Sequence, residues 1–145
     1  DGENGYIIPY KVFLTTVGDD TPIGTYKTYV KYRWKFMHDN IYCQFCARFY
    51  QGFLMHSLIY MDSPDSYHFE AGSYNYHGKR RSDGCVRLTA GDAAWLYNNC
   101  PTGTTITIYD DEWVMGPLDR PAIEWAIPMT QNYDPTDPAI TGQSL

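Results

Sequence analysis

Hydrophobic and polar residues alternate through much of the chain between residues 6 and 109, with the period of two that is typical of β-strands. Glycine, proline, asparagine and aspartate interrupt the alternation at intervals, as they do in turns. The pattern predicts strands at residues 6–17, 25–36, 41–49, 53–60 and 104–109. We therefore expect a mainly β fold.

One segment breaks this period and predicts a short helix, at residues 90–99. Thr89 has the position of an N-cap, and Asp92 follows it three residues later, where a capping box has its acidic residue. The spacing of the apolar residues predicts a buried stripe that consists of Ala90, Ala93, Leu96 and Tyr97. The helix is expected to end at Asn98-Asn99-Cys100-Pro101.

Residues 61–81 form a long polar segment between two predicted elements. Segments of this length inside a domain are usually functional or mobile. This one separates His56 from Cys85, a candidate base and a candidate nucleophile, so we expect it to border a cleft. It ends in the only basic cluster of an acidic chain, His77-Gly78-Lys79-Arg80-Arg81. This cluster is either a solvated loop or a patch that attracts an anionic substrate.

Length and composition indicate a single domain, residues 1–145. Residues 110–145 are rich in proline, and we expect them to form an ordered tail that wraps the domain. The chain opens on turn residues, Asp1-Gly2-Glu3-Asn4-Gly5, which suggest a fragment of a longer protein. We expect a monomer.

The balance of residue types narrows the class of protein further. Aromatic residues make up 17% of the chain and charged residues only 19%, which favours sheets with aromatic cross-strand pairs. The net charge of −6 argues against a nucleic-acid partner, because phosphate binding needs a basic surface. No apolar run approaches the roughly 20 residues that a membrane span requires.

Two of the four cysteines, Cys43 and Cys46, suggest structural roles. The pair at 43 and 46 has the spacing of metal ligands, but a zinc site needs a second pair of ligands, so we predict no metal. In a regular strand these two positions point to opposite faces, and we do not expect a bridge between them. If the protein is exported, Cys100 could pair with either one.

The fourth cysteine, Cys85, follows Gly84 at a tight turn just ahead of the predicted helix. Backbone N–H groups and the positive end of a helix dipole favour a thiolate over a thiol, which is what a nucleophile needs. The alternative is that Cys85 is a small buried hydrophobic residue, as free cysteines commonly are.

Several motifs resemble those of one known family. The segment Ser82-Asp83-Gly84-Cys85-Val86-Arg87-Leu88 resembles the active-site signature of the L,D-transpeptidase catalytic domain, the YkuD family. Three further matches follow the family's order: Thr21-Pro22-Ile23-Gly24-Thr25-Tyr26, Met55-His56-Ser57, and the helix and closing strand after the cysteine. The family usually has a histidine where this chain has Asp83.

The resemblance implies a fold and a set of site residues. The fold would be a β-sandwich-like arrangement of mixed sheets with one short helix after the cysteine. Cys85 would be the nucleophile and His56 the base, and the N–H groups of Gly84 and Cys85 would form the oxyanion hole. Ser82 would orient the histidine or the turn. Residues on the substrate side would be Arg87, Asp83, Ser57 and His77, the last also ranking second as a base.

The resemblance also implies a substrate, the stem peptides of bacterial peptidoglycan. Cys85 would attack the third stem residue, release the terminal D-Ala and pass the acyl group to an amine of a second stem. Carbapenems would acylate the same cysteine, no cofactor would be needed, and the protein would act in the bacterial cell envelope. Alternatives are an L,D-carboxypeptidase, a binding domain that has lost turnover because of Asp83, and another thiol hydrolase.

Overall fold

A computed structural model describes residues 8–111, 116, 118–123 and 125–143. The described strands and helices are, in chain order, β1 (Gly24–Lys27), β2 (Val30–Phe36), β3 (Ile41–Tyr50), β4 (Phe53–Ser57), β5 (Tyr60–Met61), α1 (Ala71–Asn75), β6 (Val86–Leu88), α2 (Ala90–Asn99), β7 (Thr105–Ile108) and α3 (Pro138–Thr141).

The strands form one large mixed sheet and one small sheet. The large sheet has the order β2-β3-β4-β6, with β5 paired to β3, and the small sheet consists of β1 and β7. Strand β6 runs parallel to β4, while the other described pairs are antiparallel. The prediction of a mainly β fold with mixed sheets is confirmed.

The two faces of the large sheet have different partners. On one face, Phe45 and Leu88 form an apolar cluster with Ala93 and Ala94 of α2. The other face carries a cluster of Cys43, Cys46 and Leu54, against which Cys85 packs. Strand alternation therefore directs Val86 and Leu88 toward the helix, and Cys85 and Arg87 toward the opposite face.

Helix α2 begins and ends where the sequence predicts. Thr89 is its N-cap, and its hydroxyl accepts a hydrogen bond from the Asp92 N–H at 3.3 Å. The C-terminal segment supplies two more caps, because Asp134 accepts from the Ala90 N–H and Thr136 accepts from the Gly91 N–H. The proline-rich segment thus holds the start of the helix.

Sequence reasoning missed the short helices α1 and α3. Helix α1 begins after Glu70, whose carboxylate accepts hydrogen bonds from two N–H groups of the first turn. Helix α3 begins after Asp137, which is fully buried and accepts hydrogen bonds from Gln44 and Tyr60. Capping residues were present in both segments, but the apolar periodicity that marks longer helices was not.

The predicted strands were too long in three places. Of the strand at 6–17, the described residues 8–17 contain only one bridge, between Thr16 and Arg87. The strand at 25–36 is split, because Thr28 bonds to Thr104 beside β7 whereas Tyr29 bonds to Arg48 of β3. The strand at 53–60 stops at residue 57 and resumes as β5. In each case the backbone becomes hydrogen-bonded to a different segment of the chain. The alternation of apolar residues does not reveal such a change.

The prediction that Cys43 and Cys46 point to opposite faces is wrong. Phe45 has φ of 53°, in the left-handed region that a bulky residue rarely occupies. This conformation interrupts the alternation of β3, and the two Sγ atoms lie 3.4 Å apart. The guanidinium of Arg33 lies 3.9 Å from the Phe45 ring and covers it on one side.

The described helices include none that is long and apolar enough to cross a membrane.

Candidate active site

The turn that carries Cys85 is closed by Ser82. The Ser82 hydroxyl donates to the Cys85 carbonyl at 2.7 Å and accepts from the Gly84 N–H at 3.2 Å. Gly84 has φ of 111°, and a Cβ at this position would meet the Phe53 ring at 2.3 Å. Only glycine fits here, so the Gly-Cys pair is required by the backbone as well as by any chemistry.

The N-terminal segment braces this turn from the other side. The Thr21 hydroxyl donates to the Gly84 carbonyl at 3.0 Å and accepts from the Gly18 N–H at 2.9 Å. A side chain on Gly18 would collide with the Ser82 carbonyl. Sequence reasoning found the segment around Thr21 by its motif but missed this contact, which joins positions far apart in the chain.

The pairing of β4 with β6 brings the candidate nucleophile and base to the same face. Met55 lies opposite Val86 and His56 lies opposite Arg87. Alternation then directs the side chains of His56 and Arg87 away from helix α2. Cys85, two residues before Arg87, points to the same side. Cys85 is half-buried and packs against the cluster that includes Leu54, two residues before His56.

His56 is buried, and its orientation is defined by one hydrogen bond. Its Nδ1 lies 2.5 Å from the carbonyl oxygen of Ser57. A carbonyl only accepts, so Nδ1 carries the hydrogen of the neutral ring and Nε2 carries the lone pair. The Nε2 atom is therefore the one that could take a proton.

The side chain of Ser57 does not match its predicted place on the substrate side. It is fully buried, accepts from the Gln44 N–H at 2.8 Å and donates to the Leu58 carbonyl at 2.8 Å. Both functions of the hydroxyl are used inside the protein. The residue instead contributes its backbone carbonyl, which orients His56.

Burial raises the pKa of the Cys85 thiol above its ordinary value. A backbone hydrogen bond with Leu54 and the charges of Arg87 and Arg48 act in the opposite direction, while the charge of Asp83 adds to the rise. The sequence predicted help from the start of α2, but strand β6 lies between Cys85 and the helix. The helix N–H groups are occupied by its caps, so the thiol needs a base.

Two arginines near Cys85 have polar atoms without partners. The Nε atoms of Arg48 and Arg87 are buried, and neither has a hydrogen-bond partner among the described residues. Leaving such a donor unsatisfied costs free energy, which a ligand with acceptor oxygens would recover. Arg48 was not found from the sequence, because its approach to Cys85 depends on the register of β3 with β4.

A pocket of about 280 Å³ adjoins Arg87. The segment at 61–81, predicted to border a cleft, supplies several of its lining residues, which include Glu70, Ser73, Tyr76 and Arg81. The basic cluster is divided: Arg81 lines this pocket and packs on Tyr76, while Arg80 is exposed and pairs with Asp19. The pocket combines two arginines and the Glu70 carboxylate with largely apolar walls.

The side chain of Asp83 is exposed to solvent. Its carboxylate is 88% exposed and lies 3.9 Å from the imidazole of His38. At this exposure a charge acts on the thiol mainly through screened electrostatics. Asp83 therefore acts on the Cys85 thiol through its charge.

His77 is buried, and both ring nitrogens are occupied. The Nε2 atom donates to the Leu14 carbonyl at 3.0 Å, and Nδ1 lies 2.9 Å from the Thr16 hydroxyl. Burial lowers the pKa of His77 to about 4, although the bond to Leu14 acts in the opposite direction. The geometry gives His77 a structural role, which leaves His56 as the histidine that shares a face with Cys85.

We expect His77 to make the fold sensitive to acid. As pH falls from about 6.5 to about 4, His77 binds a proton in the unfolded chain but not in the native state. Up to about 3 kcal/mol of the free energy of unfolding is therefore lost. Urea unfolding across this range should show a flatter pH dependence for His77→Gln than for the wild type. His38→Gln, at an exposed position, serves as the control and should keep the wild-type dependence. Equal slopes in all three proteins would contradict the prediction.

The described residues contain no group of three or more His, Cys, Asp or Glu side chains arranged to hold a metal ion.

The fold and the site define a class of protein: a mainly β domain in which a cysteine after a glycine turn and a histidine on the next strand share one face. The chain belongs to the YkuD family, since the family model for the L,D-transpeptidase catalytic domain matches residues 3–108. The resemblance that the motifs indicate is confirmed. Membership supports an enzyme of this kind.

Solved structures with the same fold include three L,D-transpeptidases. One, in complex with imipenem, is 20% identical with a TM-score of 0.54, over 69% of this chain and 49% of that one. One from Mycobacterium smegmatis is 21% identical with a TM-score of 0.53, over 68% and 48%. L,D-transpeptidase 3 from Mycobacterium tuberculosis, with a faropenem-derived adduct, is 18% identical with a TM-score of 0.53, over 71% and 50%.

These likenesses concern the fold. The chain spans about half the length of each of those structures. Among curated proteins, none matches the chain.

Proposed function

We propose that this protein is a cysteine-dependent L,D-transpeptidase that crosslinks the stem peptides of bacterial peptidoglycan in the cell envelope. The observation that carries the proposal is the shared sheet face of Cys85 and His56, with the lone pair of His56 on Nε2. Family membership supports the same chemistry.

In the first half-reaction Cys85 is the nucleophile and His56 the base. Nε2 takes the thiol proton, and the thiolate forms a bond to the carbonyl carbon of the third stem residue. The bond from that carbon to the nitrogen of the terminal D-Ala then breaks, and the imidazolium returns its proton to the leaving amine. The product is a thioester on Cys85 and free D-Ala.

In the second half-reaction an amine of another stem attacks the thioester. His56 takes a proton from the attacking amine and gives it to the departing Cys85 sulfur, so the enzyme returns to its starting state. Water in place of the amine would make the protein an L,D-carboxypeptidase. Carbapenems would acylate Cys85 by opening of the lactam ring.

For the oxyanion, the geometry favours the Cys85 N–H over that of Gly84. The Gly84 N–H donates to the Ser82 hydroxyl, so it would have to leave that 3.2 Å bond to bind the substrate oxygen. Ser82 then has a supporting role, since it holds the carbonyl of Cys85 and the shape of the turn.

Arg87 and Arg48 would bind the carboxylate of the donor stem. Their buried, unpartnered Nε atoms support this role, because a carboxylate satisfies guanidinium donors in pairs. The pocket beside Arg87 provides room for the part of the stem next to that carboxylate. When D-Ala leaves, its carboxylate leaves with it, which vacates the site for the acceptor.

A second candidate is a peptidoglycan-binding domain of the same fold that does not turn over. The raised pKa of Cys85, caused mainly by burial and increased by Asp83, favours this candidate, because a thiol without an effective base does not attack. The two candidates differ in whether Cys85 becomes acylated.

The test is incubation with a tetrapeptide donor that ends in D-Ala and a stem acceptor, followed by mass spectrometry. We expect free D-Ala and a crosslinked dimer. A matched donor with a C-terminal amide should react about tenfold more slowly or worse, because it lacks the carboxylate that the arginines bind. Tripeptide without dimer would indicate the carboxypeptidase, and binding without either product would indicate the binding domain.

A further inference from the structure

The CysXXCys pair of β3 lies on the same sheet face as the candidate active site. Cys43 and Cys46 are both fully buried, and their Sγ atoms are 3.4 Å apart. They form one cluster with Leu54, and Cys85 packs against this cluster. The left-handed conformation of Phe45 brings the two thiols together. Such strained residues persist where the surrounding structure enforces them, often at functional sites.

We propose that Cys43 and Cys46 form an intrachain disulfide when the protein folds in an oxidising compartment. The disulfide does not depend on the proposed transpeptidation.

The chemistry is thiol–disulfide exchange with a disulfide oxidant, either a small-molecule disulfide or a protein one. One thiol of the pair loses its proton and attacks the oxidant, which releases one thiol and leaves a mixed disulfide. The second thiol of the pair displaces the other half of the oxidant. Two cysteine thiols are oxidised, one disulfide is reduced to two thiols, and the protons pass to the released thiols.

The exchange takes place during folding rather than in the native protein. The hydrogen bond between Cys43 and Cys46, followed by burial, raises the pKa of the Cys43 thiol far above its ordinary value, and the nearby His56 imidazole acts in the opposite direction. A thiol in this state is a poor nucleophile and is shielded from solvent. The same burial would protect the disulfide from reductants once it has formed.

The bonds of the Cys43 thiol are compatible with a disulfide. The Cys43 S–H bonds that the structure contains point to the Lys35 carbonyl, at 3.9 Å, and to the Cys46 sulfur, at 3.4 Å. Oxidation would replace the second of these contacts by a covalent bond.

Peptide mapping tests the disulfide directly. Trypsin separates the cysteines, since Cys43 and Cys46 share the peptide 36–48, Cys85 lies in the peptide 82–87 and Cys100 follows in the next one. The chain is produced once by export and once in a reducing cytoplasm, and each preparation is alkylated in denaturant. We expect peptide 36–48 of the exported chain to lack alkyl groups and two hydrogens, while Cys85 and Cys100 are alkylated.

The proposal is overturned if peptide 36–48 of the exported chain carries two alkyl groups, or if the disulfide includes Cys85 or Cys100. The mapping does not require turnover of a stem peptide, so a failure of the proposed transpeptidation is distinguishable from a failure of this inference.

Discussion

Cys85→Ala is expected to abolish both adduct formation with a carbapenem and turnover of a stem-peptide donor. The thioester cannot form without the sulfur, and loss of a nucleophile typically lowers turnover by a factor on the order of 10⁴ or more. The hydroxyls of Ser82 and Thr21 hold the turn by the backbone groups of Gly84 and Cys85, so the variant should keep its fold. The measurement is intact-protein mass after incubation with imipenem, for wild type and variant side by side.

The matched control for this variant is Cys100→Ala. Cys100 is the other half-buried cysteine and lies at the end of α2. We expect it to acquire one adduct, as the wild type does. Adduct on Cys85→Ala, or residual D-Ala release by that variant, would refute Cys85 as the nucleophile. A folded wild type that acquires no adduct would favour the binding domain.

His56→Gln should slow acylation of Cys85 by a factor of about 10² to 10⁴, the contribution of a positioned general base. Burial raises the pKa of Cys85, so the thiol depends on a base to a greater extent than an exposed cysteine would. Glutamine can still donate a hydrogen bond toward the Ser57 carbonyl, but it cannot accept a full proton. Single-turnover acylation by imipenem, followed by mass spectrometry, measures the rate.

His77→Gln is the control, because His77 is also buried but bonds to Leu14 and Thr16. At pH 7 it should leave the acylation rate near that of the wild type, provided that the protein is folded. The reverse order of effects would mean that the wrong histidine was chosen as the base. Equal large losses in both variants, with intact folding, would indicate that neither acts alone.

The elements nearest to the candidate nucleophile were predictable because their signals are local. Thr89 and Asp92 mark the start of α2 within one helical turn, and the Gly84-Cys85 pair marks a tight turn by itself. The motifs around Cys85 and His56 indicate the family on their own, because each consists of neighbouring residues. These signals do not depend on distant parts of the chain.

The placement of Arg48 and Ser57 required the assembled sheet. Arg48 affects Cys85 because β3 pairs with β4 in a particular register, and the sequence of β3 does not specify that register. Ser57 follows the candidate base directly, yet its hydroxyl is hydrogen-bonded to the Gln44 N–H and the Leu58 carbonyl. Which polar groups remain available is decided by neighbours that come from other segments.

The cysteines show which features the sequence determined and which ones needed the tertiary structure. The sequence by itself determined that Cys85 follows a glycine turn, because Gly84 must adopt a positive φ there and only glycine does so without a clash. It also determined the mainly β class, through the period of the apolar residues. The relation between Cys43 and Cys46 was decided only by the tertiary structure. Packing of Phe45 against α2 and under Arg33 accompanies a backbone conformation that no local propensity favours, and it reverses the expected faces of the strand.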